Sequence, residues 1–186
     1  FPGIRRRCAT LNICFVPPFY REWMLSLGLV SANKQTLKRI LSSGDESVVL
    51  VPGGAAEALI AKPGIFRLYL QNRKGFVKLA METGAALVPV LGFGENNAFA
   101  VHVPPPGSWL SQLLQWSYRV LTFSVPILTS PFPQPHPVHV VVGQPIQFEK
   151  GQTVEKCHAL YLQALTNLYN EHKNNYGHEN IPIEIL

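Results

Sequence analysis

Two apolar runs, Val48-Val49-Leu50-Val51 and Ala86-Leu87-Val88-Pro89-Val90-Leu91, each lead directly into a glycine-containing loop that carries a carboxylate. Three of the first four residues are β-branched, which suits a strand covered on both faces. Pro52 ends that ladder because it has no amide hydrogen to donate. Gly53 and Gly54 then let the backbone approach a ligand with its N–H groups turned toward it, and Glu57 is the one charge in a window of apolar and small residues. The second run ends in Gly92-Phe93-Gly94-Glu95-Asn96-Asn97. Between the two, a helix is predicted from about Asn72 to Thr83, stopped by Gly84, with Phe76, Val77, Leu79 and Ala80 on its apolar side. Strand, helix and strand read as a βαβ unit. Its strands are then parallel and both loops open at their carboxyl ends into one crevice.

Further elements fit around that unit. Short helices are predicted at Tyr20–Leu27 and Ser31–Leu41, the second with Ser31 near its cap. Ile65–Leu70 is a short apolar segment, Trp109–Phe123 a candidate helix, Ser124–Pro137 an irregular excursion, and His139–Gly143 a third apolar strand. The last helix, Val154 to about Lys173, places Val154, Cys157, Tyr161, Ala164, Leu165 and Leu168 at helical spacing, a stripe that reads as core. The expected fold is a single α/β domain over residues 1–186, three layers deep, with a mostly parallel central sheet flanked by helices.

Composition narrows the chemistry. The 47% hydrophobic and 15% charged fractions supply enough apolar surface for a folded core. No apolar run reaches the roughly 18 residues of a spanning helix, and there is no secretory leader. Cys8, Cys14 and Cys157 are odd in number and lack metal-ligand spacing, so reduced thiols are expected. The excess of five basic over acidic residues gathers in part at Arg5-Arg6-Arg7, at Lys34, Lys38 and Arg39, and at Arg73, Lys74 and Lys78. Such clusters suit an anionic partner or a plain solvated face. Phosphate groups or lipid headgroups fit them better than nucleic acid, for which no zinc-finger spacing or basic-aromatic interleaving is found. Asp45, the single aspartate, sits in a Gly44-Asp45-Glu46 turn, and no serine occupies a Gly-x-Ser-x-Gly elbow, which argues against serine hydrolase chemistry. Gly92-Phe93-Gly94 lacks the third glycine of a dinucleotide fingerprint. His136 and His139 have no nearby ligand to complete a metal site, and no metal is expected.

What remains is a crevice lined by Gly53, Gly54, Glu57, Glu95, Asn96 and Asn97, with Arg73 and Lys74 at the head of the intervening helix. Pro52-Gly53-Gly54-Ala55-Ala56-Glu57, then Arg73-Lys74-Gly75-Phe76-Val77-Lys78-Leu79-Ala80, then Val88-Pro89-Val90-Leu91-Gly92-Phe93-Gly94-Glu95-Asn96, in that order, resembles the type-two diacylglycerol acyltransferase family, which includes monoacylglycerol and wax-alcohol acyltransferases. Phe1-Pro2-Gly3-Ile4-Arg5 and Val141-Val142-Gly143-Gln144-Pro145-Ile146 extend the likeness over nearly the whole chain, which corresponds to the carboxyl-terminal half or more of a full-length member.

The resemblance implies a glycerolipid-acyltransferase-like fold and an endoplasmic-reticulum membrane protein whose catalytic part faces the cytosol. It implies transfer of a fatty acyl group from acyl-CoA to the hydroxyl of diacylglycerol or a related lipid alcohol, with acyl-CoA as donor substrate and no further cofactor. Members carry a His-Pro-His-Gly motif on the amino-terminal side of Phe-Pro-Gly, and its histidine is taken as the base. This chain starts at Phe1-Pro2-Gly3, and His136-Pro137-Val138-His139 differs in order and position. An amino-terminally truncated enzyme, inactive alone, is therefore expected, with the membrane hairpin outside it. Within that reading Glu57 is the catalytic candidate, Gly53 and Gly54 contact the oxyanion or a phosphate, Arg73 and Lys74 meet the CoA phosphates, and Glu95 and Asn96 close the other side. A non-catalytic lipid- or membrane-surface module built on the same fold stays open as the alternative, with a nucleotide-binding module behind it.

Overall fold

The structure is a computed structural model that describes residues 3–54, 57, 64–95, 101–102, 104–105, 107–113, 116, 127–128, 135–149 and 151–186. Its first unit is parallel. β1 (Arg5–Thr10) lies between β2 (Val30–Ser31) and β3 (Glu46–Val49), with α1 (Tyr20–Ser26) and α2 (Lys34–Ser43) as the crossovers. Parallel neighbours need such crossovers because a tight hairpin cannot reverse the chain twice. The Asn33 side chain caps α2 by accepting the Gln35 amide, and Gly44, at φ 80°, ends it. Arg7 on β1 donates to both carboxylate oxygens of Glu46 on β3, the shortest contact being 2.9 Å, and so ties the central strand to its neighbour.

The second unit holds the main core. β4 (Phe66–Leu68) pairs in parallel with β9 (Ile183–Ile185), while β5 (Val90–Phe93) pairs antiparallel with β8 (His139–Val142). A third pair, β6 (Val101–His102) with β7 (Ile127–Leu128), is also antiparallel. α3 (Gly75–Thr83) and α4 (Val154–His172) complete the described elements. Phe66, Leu70, Leu91, Phe93, Val141, Tyr161, Leu165, Leu168 and Tyr169 form one buried cluster, with α4 laid across the strands. Each such side chain contributes roughly 1.5–3 kcal/mol by leaving water. The expected core stripe on α4 is present at Cys157, Tyr161, Leu165 and Leu168, whereas Val154 and Ala164 are only partly covered.

Helices, small sheets and parallel strands make this an α/β chain. The proposed βαβ pairing is not what the strands form: β3 bonds to β1, β5 bonds to β8, and no ladder joins β3 to β5 among the described residues. Neither apolar run is covered on both faces. Val49 and Val51 are 48% and 61% exposed, and in β5 exposed Val90 alternates with buried Leu91. That alternation is what an antiparallel pair with one open face requires. Pro89 delays β5, so Leu87 makes only an isolated bridge to Ile146. Ser31, expected to cap α2, lies instead in β2. Of the helix expected over Trp109–Phe123, helical residues are described at 109–113 and at 116, and most of the remainder lies outside the described residues.

Candidate active site

Glu57 is the centre of the site. Its carboxylate folds back over the glycine turn that follows β3, and Oε2 accepts the Tyr69 backbone N–H at 3.0 Å. A Cβ placed on Gly53 would lie 1.9 Å from Glu57 Oε2 and 2.8 Å from Glu57 Cβ, so only glycine leaves room for this conformation. The loop after β5 repeats the device more loosely, with Glu95 Oε2 3.2 Å from the corresponding point on Gly92.

Burial pushes the Glu57 carboxyl above the usual carboxylate range. The Tyr69 amide opposes that shift, and the charge of Glu95 adds to it. The two loops therefore face each other closely enough for their carboxylates to interact. Below them Tyr161 of α4 is pushed up to about 12, first by burial and then by the charge of Glu57. Its ring meets Phe76 of α3 edge-on at 4.9 Å. A carboxyl with a raised pKa keeps its proton to higher pH than a free one and can hydrogen-bond a reacting hydroxyl or a basic partner.

The segment between β4 and α3 links this carboxyl to the basic residues. Tyr69, whose amide binds Glu57, carries the Arg73 guanidinium over its ring at 5.4 Å. The Arg73 amide donates to the Leu70 carbonyl at 2.9 Å, closing the turn. Buried His158 of α4 bonds the same carbonyl through Nε2 at 3.1 Å. A carbonyl only accepts, so His158 carries its proton on Nε2 and serves as a clamp on the turn. Lys74 is drawn off to Glu155 at 3.3 Å. Other members of the basic clusters are also paired: Arg7 with Glu46, and Lys34 and Lys38 with Glu82.

Gly53, Gly54, Glu57 and Glu95 thus come together, and Arg73 joins them through Tyr69. Lys74 stands at the head of α3 but engages a carboxylate on α4. Asn96 and Asn97 lie outside the described residues. Tyr69 and His158 are contributors that the sequence did not single out, while Tyr161, expected in the core stripe, is part of that core and also lines the site; the i, i+3 spacing of His158 and Tyr161 on one helix was the available signal. A larger cavity of about 530 Å3, lined by Met81, Thr83, Gly84, Gln147 and Phe148 among others, opens at the carboxyl end of α3 and includes none of these groups. The candidate site lies at the other end of that helix. His139, read as an ordinary strand residue, stacks on Tyr176 at 4.8 Å. No group of metal-binding side chains occurs among the described residues.

Comparison with known proteins places the chain in a family. The family model for diacylglycerol acyltransferase matches residues 1–185. The chain is 37% identical over 193 residues to 2-acylglycerol O-acyltransferase 1 of Bos taurus, covering 95% of this chain and 58% of that protein. It is 40% identical over 189 residues to diacylglycerol O-acyltransferase 2 of Dictyostelium discoideum, covering 93% and 57%. The human 2-acylglycerol O-acyltransferase 1 is 35% identical, with 95% and 58% covered. The chain therefore spans just under three-fifths of the length of these relatives. No solved structure matches it. By family match, identity and coverage, the chain belongs to the type-two diacylglycerol acyltransferase family.

Proposed function

We propose that the whole protein transfers a fatty acyl group from acyl-CoA to the hydroxyl of an acylglycerol, diacylglycerol in the first instance. The observation that carries this reading is the Glu57 carboxyl: half-buried, raised in pKa, held by a backbone amide, and close enough to Glu95 to feel its charge. In acyl transfer the alcohol oxygen attacks the thioester carbon, an oxyanion forms, and CoA leaves as the thiol once the alcohol proton has been passed to it. Glu57 orients the base or the acceptor hydroxyl. The N–H groups around Gly53 and Gly54 stabilise the oxyanion or a phosphate. Arg73, held over the Tyr69 ring, meets a CoA phosphate, a role for which Lys74 is less available because Glu155 engages it. Glu95 borders the acceptor side, and Asn96, outside the described residues, is assigned to it from the sequence alone.

The histidine base implied by the resemblance is not among residues 1–186, and this stretch alone is proposed to be inactive. No cofactor beyond the acyl-CoA donor is required. The proposed location is the endoplasmic-reticulum membrane, with the site facing the cytosol. Exposed Phe19 (87%), Trp23 and Trp109 (76%) support contact with a membrane surface, and no helix of the described residues is long and apolar enough to cross one. The same exposed aromatics would serve the alternative, a non-catalytic lipid-surface module. Labelled acyl-CoA, incubated with the full-length protein and a panel of mono- and diacylglycerols, decides between them. Labelled product that disappears with Glu57→Gln supports the enzyme, and lipid binding without product supports the module.

A further inference from the structure

α4 meets the Glu57 cleft through two side chains one turn apart. Buried His158 is committed, its Nε2 proton going to the carbonyl of Leu70, the residue after the Tyr69 amide that holds Glu57. Tyr161 is not. It is 8% exposed, meets Phe76 edge-on at 4.9 Å and lies near enough to Glu57 to feel its charge, yet its hydroxyl has no hydrogen-bond partner among the described residues. Tyr169, two turns further along the same helix, shows the usual arrangement. Its hydroxyl donates to the Ile181 carbonyl at 3.0 Å and lies 3.3 Å from Nδ1 of His178, whose ring stands edge-on to Phe66 and Phe93 at 5.8 and 5.3 Å. Buried hydroxyls are nearly always paired in this way, and an open one beside a carboxyl points to a partner that arrives with a ligand.

The other donors around Glu57 already have partners: the Tyr69 amide serves Glu57 itself, Arg73 lies over the Tyr69 ring, and Lys74 engages Glu155. In acyl transfer the thioester carbonyl oxygen gains charge and needs a donor, whereas the attacking alcohol needs an acceptor for its proton. We propose that Tyr161 is a further catalytic residue, its hydroxyl donating a hydrogen bond to the thioester carbonyl oxygen as that oxygen becomes the oxyanion. It joins the N–H groups around Gly53 and Gly54 in that task. The alcohol oxygen attacks the thioester carbon and the carbonyl π pair moves onto oxygen. That pair returns as the carbon–sulfur bond breaks, and the departing thiolate receives the alcohol proton through the base. Tyr161 keeps its own proton throughout, since burial and the Glu57 charge push the phenol up to about 12. The role rests on the acyl-transfer reading; the open hydroxyl does not.

The test is Tyr161→Phe in the full-length protein in detergent, assayed with labelled long-chain acyl-CoA and diacylglycerol and followed in parallel by thermal unfolding. Removing one oxyanion donor should lower kcat roughly 10²- to 10³-fold, with the KM for acyl-CoA changed by no more than about twofold. Tm should stay the same or rise, because no hydrogen bond within the fold is lost. Retained kcat, a loss confined to KM, or a Tm that falls together with activity, as for a hydroxyl bonded within the fold, would overturn the proposal. A parent protein that makes no labelled acylglycerol defeats the acyl-transfer reading and this role together. A parent that turns over while Tyr161→Phe does so equally well defeats this role alone.

Discussion

Glu57 and Tyr69 are joined by one hydrogen bond: the Tyr69 amide donates to Glu57 Oε2 at 3.0 Å, while the ring of the same tyrosine carries Arg73 at 5.4 Å. One residue thus links a carboxyl proposed for proton handling to a cation proposed for donor binding.

Glu57→Gln keeps an oxygen for the Tyr69 amide but removes the charge. In the full-length protein, turnover is expected to fall roughly 10²- to 10⁴-fold. Stability should move the other way. Because burial raises the carboxyl pKa in the fold, its stabilising effect is complete below the ordinary value of 4.5 and is lost as pH rises through the folded value. Denaturant midpoints at pH 8 should therefore show the glutamine variant at least as stable as the parent. A clear loss of stability there would mean that the ionised carboxylate is needed by the fold.

Arg73→Ala is expected to raise the KM for acyl-CoA several-fold with little change in kcat, and Arg73→Lys to recover little, since an ammonium does not reproduce the guanidinium's fork of donors held over Tyr69. Lys74→Ala should change KM much less, because Glu155 already engages that side chain at the surface. Equal effects at both positions would contradict the assignment of the phosphate contact to Arg73.

Gly53→Ala and Gly54→Ala separate steric from conformational cost. At Gly53 the new methyl overlaps the Glu57 side chain, so activity should drop in parallel with displacement of the carboxylate. Gly54 has open space but a φ of +59°, and alanine there should cost about 1–2 kcal/mol of stability with a smaller loss of turnover. Thermal unfolding and kinetics on the two variants distinguish these outcomes.

Leu165, 2% exposed, packs α4 into the cluster formed by Phe66, Leu91 and Phe93. Leu165→Ala should cost about 2–5 kcal/mol in chemical denaturation. A value under about 1 kcal/mol would show that α4 is not part of the core.

His178 supplies a pH signature. Burial lowers its pKa from 6.5, so the folded chain favours the neutral ring. Stability should be greatest above pH 6.5 and decline as pH falls from there to the folded pKa. His178→Phe, which keeps the packing against Phe66 and Phe93, should flatten that decline. An unchanged slope would assign it to another group.

Much of this site was legible in the sequence because glycine, proline and an isolated carboxylate mark a loop by sterics and charge alone, as at Pro52-Gly53-Gly54 and Glu57. α4 was legible from its 3.6-residue period and observed at Val154–His172, one residue short of the expected end. Strand pairing was not. The Val48 and Val90 runs look alike, yet one joins a parallel sheet through β1 and the other an antiparallel pair through β8. β1 itself, Arg-Arg-Arg-Cys-Ala-Thr, hides its strand character because three consecutive arginines put charge on both of its faces and Arg7 is satisfied by Glu46, far along the chain. Tyr69, His158 and His178 escaped for the same reason: a backbone amide, a carbonyl and a phenol select them, and none of those partners is encoded nearby.

The central claim is that the turns bearing Glu57 and Glu95 face one cleft. The most direct measurement is a carbon-13 NMR titration of the Glu57 side-chain carboxyl in chain 1–186, with and without Glu95→Gln. The account predicts that removing the Glu95 charge lowers the Glu57 pKa. A Glu57 titration that does not move would place the two carboxylates too far apart to act together and would contradict it.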